Sequence, residues 1–207
     1  MAIGKQAKIL TDKQQNLTLT YLEGTRHPLR NKVIFMLSFK AGLRAKEIAK
    51  LQWSMVCNSD GEVSDVINLS NNASKGKYSG RIIPLHKELK TLLVELLAQQ
   101  QQNEFFSLAK AVINTERGQA TTAQVIVNFF HDLYKNIGFN GCSSHSGRRT
   151  FITNAAKHIS LVGGTLNDVR MLAGHSSLAT TQRYIAYDTE AQRKIVEMSK
   201  VFLESRL

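Results

Sequence analysis

Hydrophobic and polar positions alternate along this chain with two different periods. Leu89, Leu92, Leu93, Leu96 and Leu97 recur at i, i+3, i+4, i+7 and i+8, which predicts an amphipathic helix. Val125, Phe129, Phe130, Leu133 and Ile137 predict a second, opening near Thr121 or Thr122 and stopping before Gly138. Earlier, Thr11-Asp12-Lys13-Gln14 has capping-box form and predicts a helix to about Leu22. Pro28 suits the first turn of a helix to about Ala41, ended by Gly42, and a short helix covers Ala45 to Leu51. The period then changes. Asp60-Gly61 is a turn signal, and VINL (66–69) and RIIPL (81–85) read as strands on either side of the polar loop SNNASKGKYSG.

The last third reads as short helices. One begins at His145, one at Thr165 with Asp168 three residues on, and one near Ser176 or Ser177 that carries Tyr184. A final helix is expected over about 189–205. The fold class is mainly α with a small antiparallel β-ribbon. With 207 residues there is enough chain for one domain with a real core.

Charge changes the picture. The chain holds 27 Lys and Arg against 16 Asp and Glu, a net +11. Residues 1–50 hold ten Lys or Arg against Asp12, Glu23 and Glu47, while residues 188–207 are neutral. A basic field on one part of a folded domain points to a polyanion. The N-terminus lacks the apolar run of a signal peptide, and no stretch approaches 18 apolar residues, so no membrane partner is expected. Cys57 and Cys142 form no metal-ligand spacing, and a reducing, cytoplasmic setting is the simplest expectation.

Four stretches put reactive polar groups at structural edges. Arg44 follows the helix-breaking Gly42, with Glu47 one turn later. His145 and Arg148 lie three apart, on one face of a helix start. His175 follows Gly174 in a turn, and Tyr184 comes nine residues after it among Thr180, Thr181, Gln182 and Arg183. Singly, each has a plain reading: Arg44 as a cap or ion pair, His145 as a helix-start residue, Tyr184 as a packed ring. Together they suit attack on a phosphodiester. Guanidinium groups pair with phosphate oxygens, histidines donate bonds or move protons, and a side-chain hydroxyl forms a covalent intermediate. Tyrosine, with about one in 10³ ionised at neutral pH, is a tolerable leaving group for the return step. A basic 5′ oxygen leaving DNA needs an acid, and the loop 70–80 offers Lys75 and Lys77.

AGLRAKEIAKLQW, SKGKYSGRIIPL, HSGRRTFITNAA and LAGHSSLATTQRYIAY, in this order from residue 41 to 187, resemble the signature regions of the tyrosine site-specific recombinases, the phage-integrase family. The resemblance implies the catalytic-domain fold of that family and a recombinase that cleaves and rejoins double-stranded DNA. Arg44, His145, Arg148 and His175 would surround the scissile phosphate, and Tyr184 would form a 3′-phosphotyrosyl link. Glu47 would support the site. Lys75 matches the β-ribbon lysine best, with Lys77 as the fallback. No metal or nucleotide cofactor is implied. The implied setting is the nucleoid, with four protomers on two DNA sites and accessory DNA-bending proteins as candidate partners.

Residues 1–187 would form the catalytic domain, with no separate N-terminal core-binding domain, and a naturally short recombinase is favoured slightly over a fragment. In the expected helix of 188–207, Ile195, Val196, Met198, Val201, Phe202 and Leu203 are apolar. The family favours docking of this helix on a neighbouring protomer over packing on its own domain. Gly147 and Arg149 stand where the family usually has leucine and histidine. A type IB topoisomerase-like enzyme and a catalytically silent DNA-binding regulator remain the alternative readings.

Overall fold

The computed structural model describes residues 6–71, 73, 80–116 and 118–184. Lys75, Lys77 and the expected helix of 188–207 lie outside the described residues.

Helix α1 (Asp12–Glu23) opens on the reciprocal cap expected of it: the Gln14 amide bonds the Thr11 hydroxyl, and the Thr11 amide bonds the Gln14 side chain. Helix α2 (Pro28–Phe39) starts on proline and ends two residues before the expected Ala41. Every residue from Val33 to Phe39 is buried, so the second half of α2 is covered on all sides. Gly42 turns the chain with φ of 64°, and a Cβ there would lie 2.4 Å from the Phe151 ring, so both backbone and space demand glycine. Helix α3 (Ala45–Lys50) follows.

Strands β1 (Val66–Leu69) and β2 (Arg81–Pro84) pair antiparallel, with Ile67 opposite Ile83 and Leu69 opposite Arg81. Ile67, Leu69 and Ile83 are buried while Ile82 is exposed, so the inner face of the ribbon carries residues 67, 69, 81 and 83. Helix α4 (Lys87–Gln101) packs on α2 through Leu89, Leu93, Leu96 and Leu97, as its pattern predicts. Helix α5 (Ala123–Asn136) packs on α3. Its buried face is Ile126, Phe130, Leu133 and Tyr134; Val125, counted as a core position in the sequence, is 48% exposed because the inward stripe is set one residue later.

Helix α6 (Ser146–His158) packs on α2, with His145 as its N-cap residue. Helix α7 (Leu166–Ala173) opens on a Thr165–Asp168 capping box and closes on Gly174 in the left-handed conformation. Helix α8 (Leu178–Gln182) ends before Tyr184, which was expected on the helix and instead sits in the following turn, its amide bonded to the Thr181 carbonyl. A small second core of Ile152, Val169 and Ala173 joins α6 to α7, and Tyr184 packs against it. No described helix is long and apolar enough to cross a membrane.

The α2–α6 crossing explains Gly147. A Cβ at this position would lie 2.6 Å from Ser38 Oγ and 3.1 Å from Ser38 Cβ, so a leucine has no room. Overpacking of this kind costs about 1–3 kcal/mol. Gly147→Leu is expected to lower the thermal midpoint by several degrees. In a double-mutant cycle, the smaller penalty of Gly147→Ala should shrink in a Ser38→Ala background, because the hydroxyl that blocks the methyl is gone. Equal penalties in both backgrounds would place the strain elsewhere.

Candidate active site

The site begins with a buried carboxylate. Glu47, on the first turn of α3, is 0% exposed, and four nitrogens surround it. The Arg44 amide bonds Oε2 at 2.8 Å and Arg44 Nη1 bonds Oε1 at 2.8 Å. Arg81, from the first position of β2, spans both oxygens at 3.0 and 3.1 Å. Burial alone would raise the Glu47 carboxyl, but the bonds and charge of Arg81 and Arg44 outweigh it and hold the group below the ordinary carboxylate range. Arg44 reaches on to the Gly174 carbonyl at 3.3 Å, and Arg81 Nε bonds the Leu172 carbonyl at 2.8 Å. Glu47 therefore fixes two arginines, and both arginines fix the end of α7. Gly174 is required there twice over: its φ is 59°, and a Cβ would lie 2.8 Å from Arg81 Nη1.

Arg148, on the first turn of α6, is 2% exposed. It donates to the Gly42 carbonyl, to the Ala173 carbonyl at 2.6 Å and to His175 Nε2 at 3.1 Å. An arginine has only donors to offer, so Nε2 of His175 accepts. The ring proton is thereby placed on Nδ1, which donates to Thr181 Oγ1 at 2.9 Å. Burial, then the charges of Arg148, Arg44 and Arg81, push His175 down to about 4, so it is neutral at pH 7. Burial and the like charge of Arg44 also lower Arg148.

Tyr184 stacks on the His175 ring, centroid to centroid 5.2 Å at 25°. Its carbonyl accepts from Thr153 on α6 at 3.2 Å, and Thr181, which fixes His175, is fully buried. The packed-ring reading of Tyr184 is thus partly met on one face. It also lines a cavity of about 340 Å³ with Gln6, Ala7, Ser143, His145, Arg149, Thr180 and Arg183. Desolvation, then Arg148 and Arg44, lowers His145 below its ordinary value.

The structure thus brings Arg44, Glu47, His145, Arg148, His175 and Tyr184 into one region. Lys75 cannot be placed in it; the described ends of its loop are joined by the Leu69–Arg81 pair and by the Gly80 amide on Asn71 Oδ1 at 2.7 Å. Arg81 and Thr181 were missed. The alternation RIIP gave a signal for Arg81, because it shares a face with Ile83, but the sequence does not say which isoleucine points inward.

Two consequences can be measured. Glu47→Ala leaves Arg81, whose side chain is 6% exposed, without its counter-charge. Breaking such a buried pair costs about 3–5 kcal/mol, so the urea midpoint should fall strongly. His175 resists protonation when folded, so the unfolded chain takes up the proton first. Its contribution is complete above about pH 6.5 and is lost as pH falls toward 4. Glu47, held low, adds a second loss that begins below the ordinary carboxylate pKa. Urea midpoints at pH 7.5 and 5 should therefore diverge in wild type and diverge less in His175→Gln, where His145 is the remaining lowered histidine. An equally large divergence in the variant would show that other groups set the acid sensitivity.

Comparison with known proteins agrees with this architecture. Residues 8–191 match the Phage integrase family. The tyrosine recombinase XerA of Pyrococcus horikoshii is 27% identical over 174 residues, covering 84% of this chain and 56% of the relative. The tyrosine recombinase XerC of Corynebacterium glutamicum is 29% identical over 160 residues, covering 75% of this chain and 46% of the relative. The chain thus spans about half the length of these curated relatives. Among solved structures, XerA recombinase superposes with a TM-score of 0.70 at 20% identity, covering 96% of this chain and 65% of that one. The Tn1549 transposon integrase in complex with a circular intermediate DNA gives 0.71 at 19% identity, covering 93% and 66%. A family match over most of the length, on a domain that places two arginines, two histidines and a tyrosine together, decides the assignment: this chain belongs to the phage integrase family.

Proposed function

We propose that this chain is the catalytic domain of a site-specific DNA recombinase, cleaving and rejoining double-stranded DNA through a 3′-phosphotyrosyl intermediate. The observation that carries this reading is the stack of Tyr184 on a neutral, arginine-bonded His175. Tyr184 Oη attacks the scissile phosphorus while the bond to the 5′ oxygen breaks. His145, in the same cavity and kept neutral at pH 7 by its surroundings, takes the phenolic proton. Lys75, with Lys77 as the alternative, gives a proton to the departing 5′ oxygen. Arg44 and Arg148 clamp the non-bridging oxygens, where negative charge grows in the transition state. Glu47 acts through Arg44 and is a positioning residue. Rejoining runs the same steps in reverse, so the reaction conserves its bond energy.

The relatives extend the reading. The transposon integrase and XerH recombinase structures hold DNA, which supports DNA as the partner of this chain as well. Exchange between two sites requires cleavage of four strands, so the working assembly is four protomers on two sites. Residues 188–207 are the segment suited to linking neighbours.

A covalent capture tests the chemistry. The protein is mixed with nicked, partly random duplexes and denatured with detergent, and the attached DNA is sequenced. Wild type should leave adducts that map to Tyr184, and Tyr184→Phe should leave none while still binding DNA. Adducts on another residue, or none on any duplex, would sink the proposal. Because His145 must be neutral to accept a proton and is held below its ordinary pKa, adduct formation should stay level from pH 8 to about 6.5 and fall at lower pH. A rate that climbs steadily through pH 7 to 8 would assign the proton to another group.

A further inference from the structure

The cavity beside Tyr184 has a charged wall for which phosphodiester cleavage, as described, has no use. Arg149 lies one turn beyond His145, on the same face of α6, and both side chains line the cavity. Its Nε is buried with no hydrogen-bond partner. Among the described residues, neither Arg149 nor Arg183 has a side-chain hydrogen bond or ion pair, and no carboxylate lines this cavity. That contrasts with the larger cleft at the start of α2. There Glu116 already neutralises Arg26 at 3.1 Å and His27 at 2.9 Å, and Arg30 bonds the Asn114 carbonyl. A buried guanidinium N–H left unsatisfied is costly and calls for an explanation. Two unpaired guanidiniums around one opening, with hydroxyls from Ser143 and Thr180 on its wall, have the chemistry of a phosphate seat.

We infer that Arg149 and Arg183 form a seat for a second backbone phosphate, next to the scissile one on the same DNA strand. The inference rests on the recombinase reading, since Arg44 and Arg148 are taken to hold the scissile phosphate. Tyr184 belongs to both groups: it stacks on His175, which bonds Arg148, and it lines the cavity with Arg149 and Arg183. The nucleophile attacks opposite the leaving 5′ oxygen. A seat on the tyrosine's side therefore holds the phosphate 5′ to the scissile one, in the strand that stays attached. Held at two successive phosphates, the retained strand keeps its 3′ end at Tyr184 while the other end departs. Arg149 and Arg183 are positioning residues in this scheme.

Salt dependence reads such contacts directly, because each neutralised phosphate contributes about 0.9 to the slope of log K against log salt. The test measures anisotropy of a random-sequence 30-base-pair duplex from low to moderate salt for wild type, Arg149→Gln, Arg149→Lys, Arg183→Gln and Arg26→Gln. The slope should fall in Arg149→Gln and in Arg183→Gln, in each by no more than about 0.9, the full contribution of the one phosphate they share. Arg149→Lys, which keeps the charge, and Arg26→Gln, whose arginine is paired with Glu116, should match wild type. Arg183 is exposed, so its variant reports even if Arg149→Gln disturbs α6. Unchanged slopes in both glutamine variants would overturn the seat. On a captured cleavage site, a neutral methylphosphonate 5′ to the scissile phosphate should slow adduct formation about tenfold in wild type. It should add little in Arg149→Gln, and equal slowing in both proteins would overturn the assignment of that phosphate. If wild type forms no adduct while the two slopes still drop, the cleavage reading fails and the seat survives as a backbone contact.

Discussion

A single buried carboxylate organises this domain. Glu47 is enclosed by Arg44 and Arg81, and those arginines reach the carbonyls that close α7. Three stretches distant in sequence, at 44–47, 81 and 172–174, are held in one geometry by one charge. Buried ion pairs seldom add net stability, because desolvation consumes most of the Coulombic gain. Their use here is geometric. A planar guanidinium with both oxygens of a carboxylate has few alternative arrangements, so α3, β2 and the end of α7 are locked in register.

The same cluster is deliberately short of negative charge. Among the described residues, Arg44, Arg81 and Arg148 converge where Glu47 is the carboxylate they share. Burial first, and then this imbalance, lowers His175 and His145 and helps keep both rings neutral. Arg148 is meanwhile held by two carbonyls and a ring nitrogen, neutral partners that fix its direction without cancelling its charge. A fixed excess of positive charge, aimed by neutral acceptors, stabilises an anion without the reorganisation that water would need. The repulsion among these arginines is borne by the fold.

Most of the scaffold was legible in the sequence because its signals are local. The Thr11 and Thr165 capping boxes, the leucine stripe of α4 and the strand pattern around the polar loop depend on neighbours a few residues away. The signature stretches likewise placed Arg44, His145, Arg148, His175 and Tyr184 in one region. What escaped depends on packing between distant elements. Val125 is exposed because α5 is rotated by its seat on α3. Tyr184 leaves the helix because α8 stops at Gln182, after which the tyrosine stacks on His175. Gly147 stands where the family usually has leucine, and its reason is Ser38, more than 100 positions away. Arg81 seemed an ordinary strand residue until its partner Glu47 was placed.

The beginning of the described chain shows how far this coupling extends. The Lys8 amide bonds the Gly141 carbonyl at 3.0 Å, and the Leu10 amide bonds Thr150 Oγ1 at 2.8 Å. Thr150 donates in turn to the Ser146 carbonyl, so its hydroxyl is satisfied on both sides within the first turns of α6. Leu10 is buried in the main core, which fixes the segment against sliding. Gln6 and Ala7 then complete the cavity wall beside His145 and Tyr184. The residues before α1 are thus built into the helix that carries Arg148. Through Thr150, this segment is tied within one turn of that arginine, so the same residues that cap the core at Leu10 also shape the wall beside His145 and Tyr184.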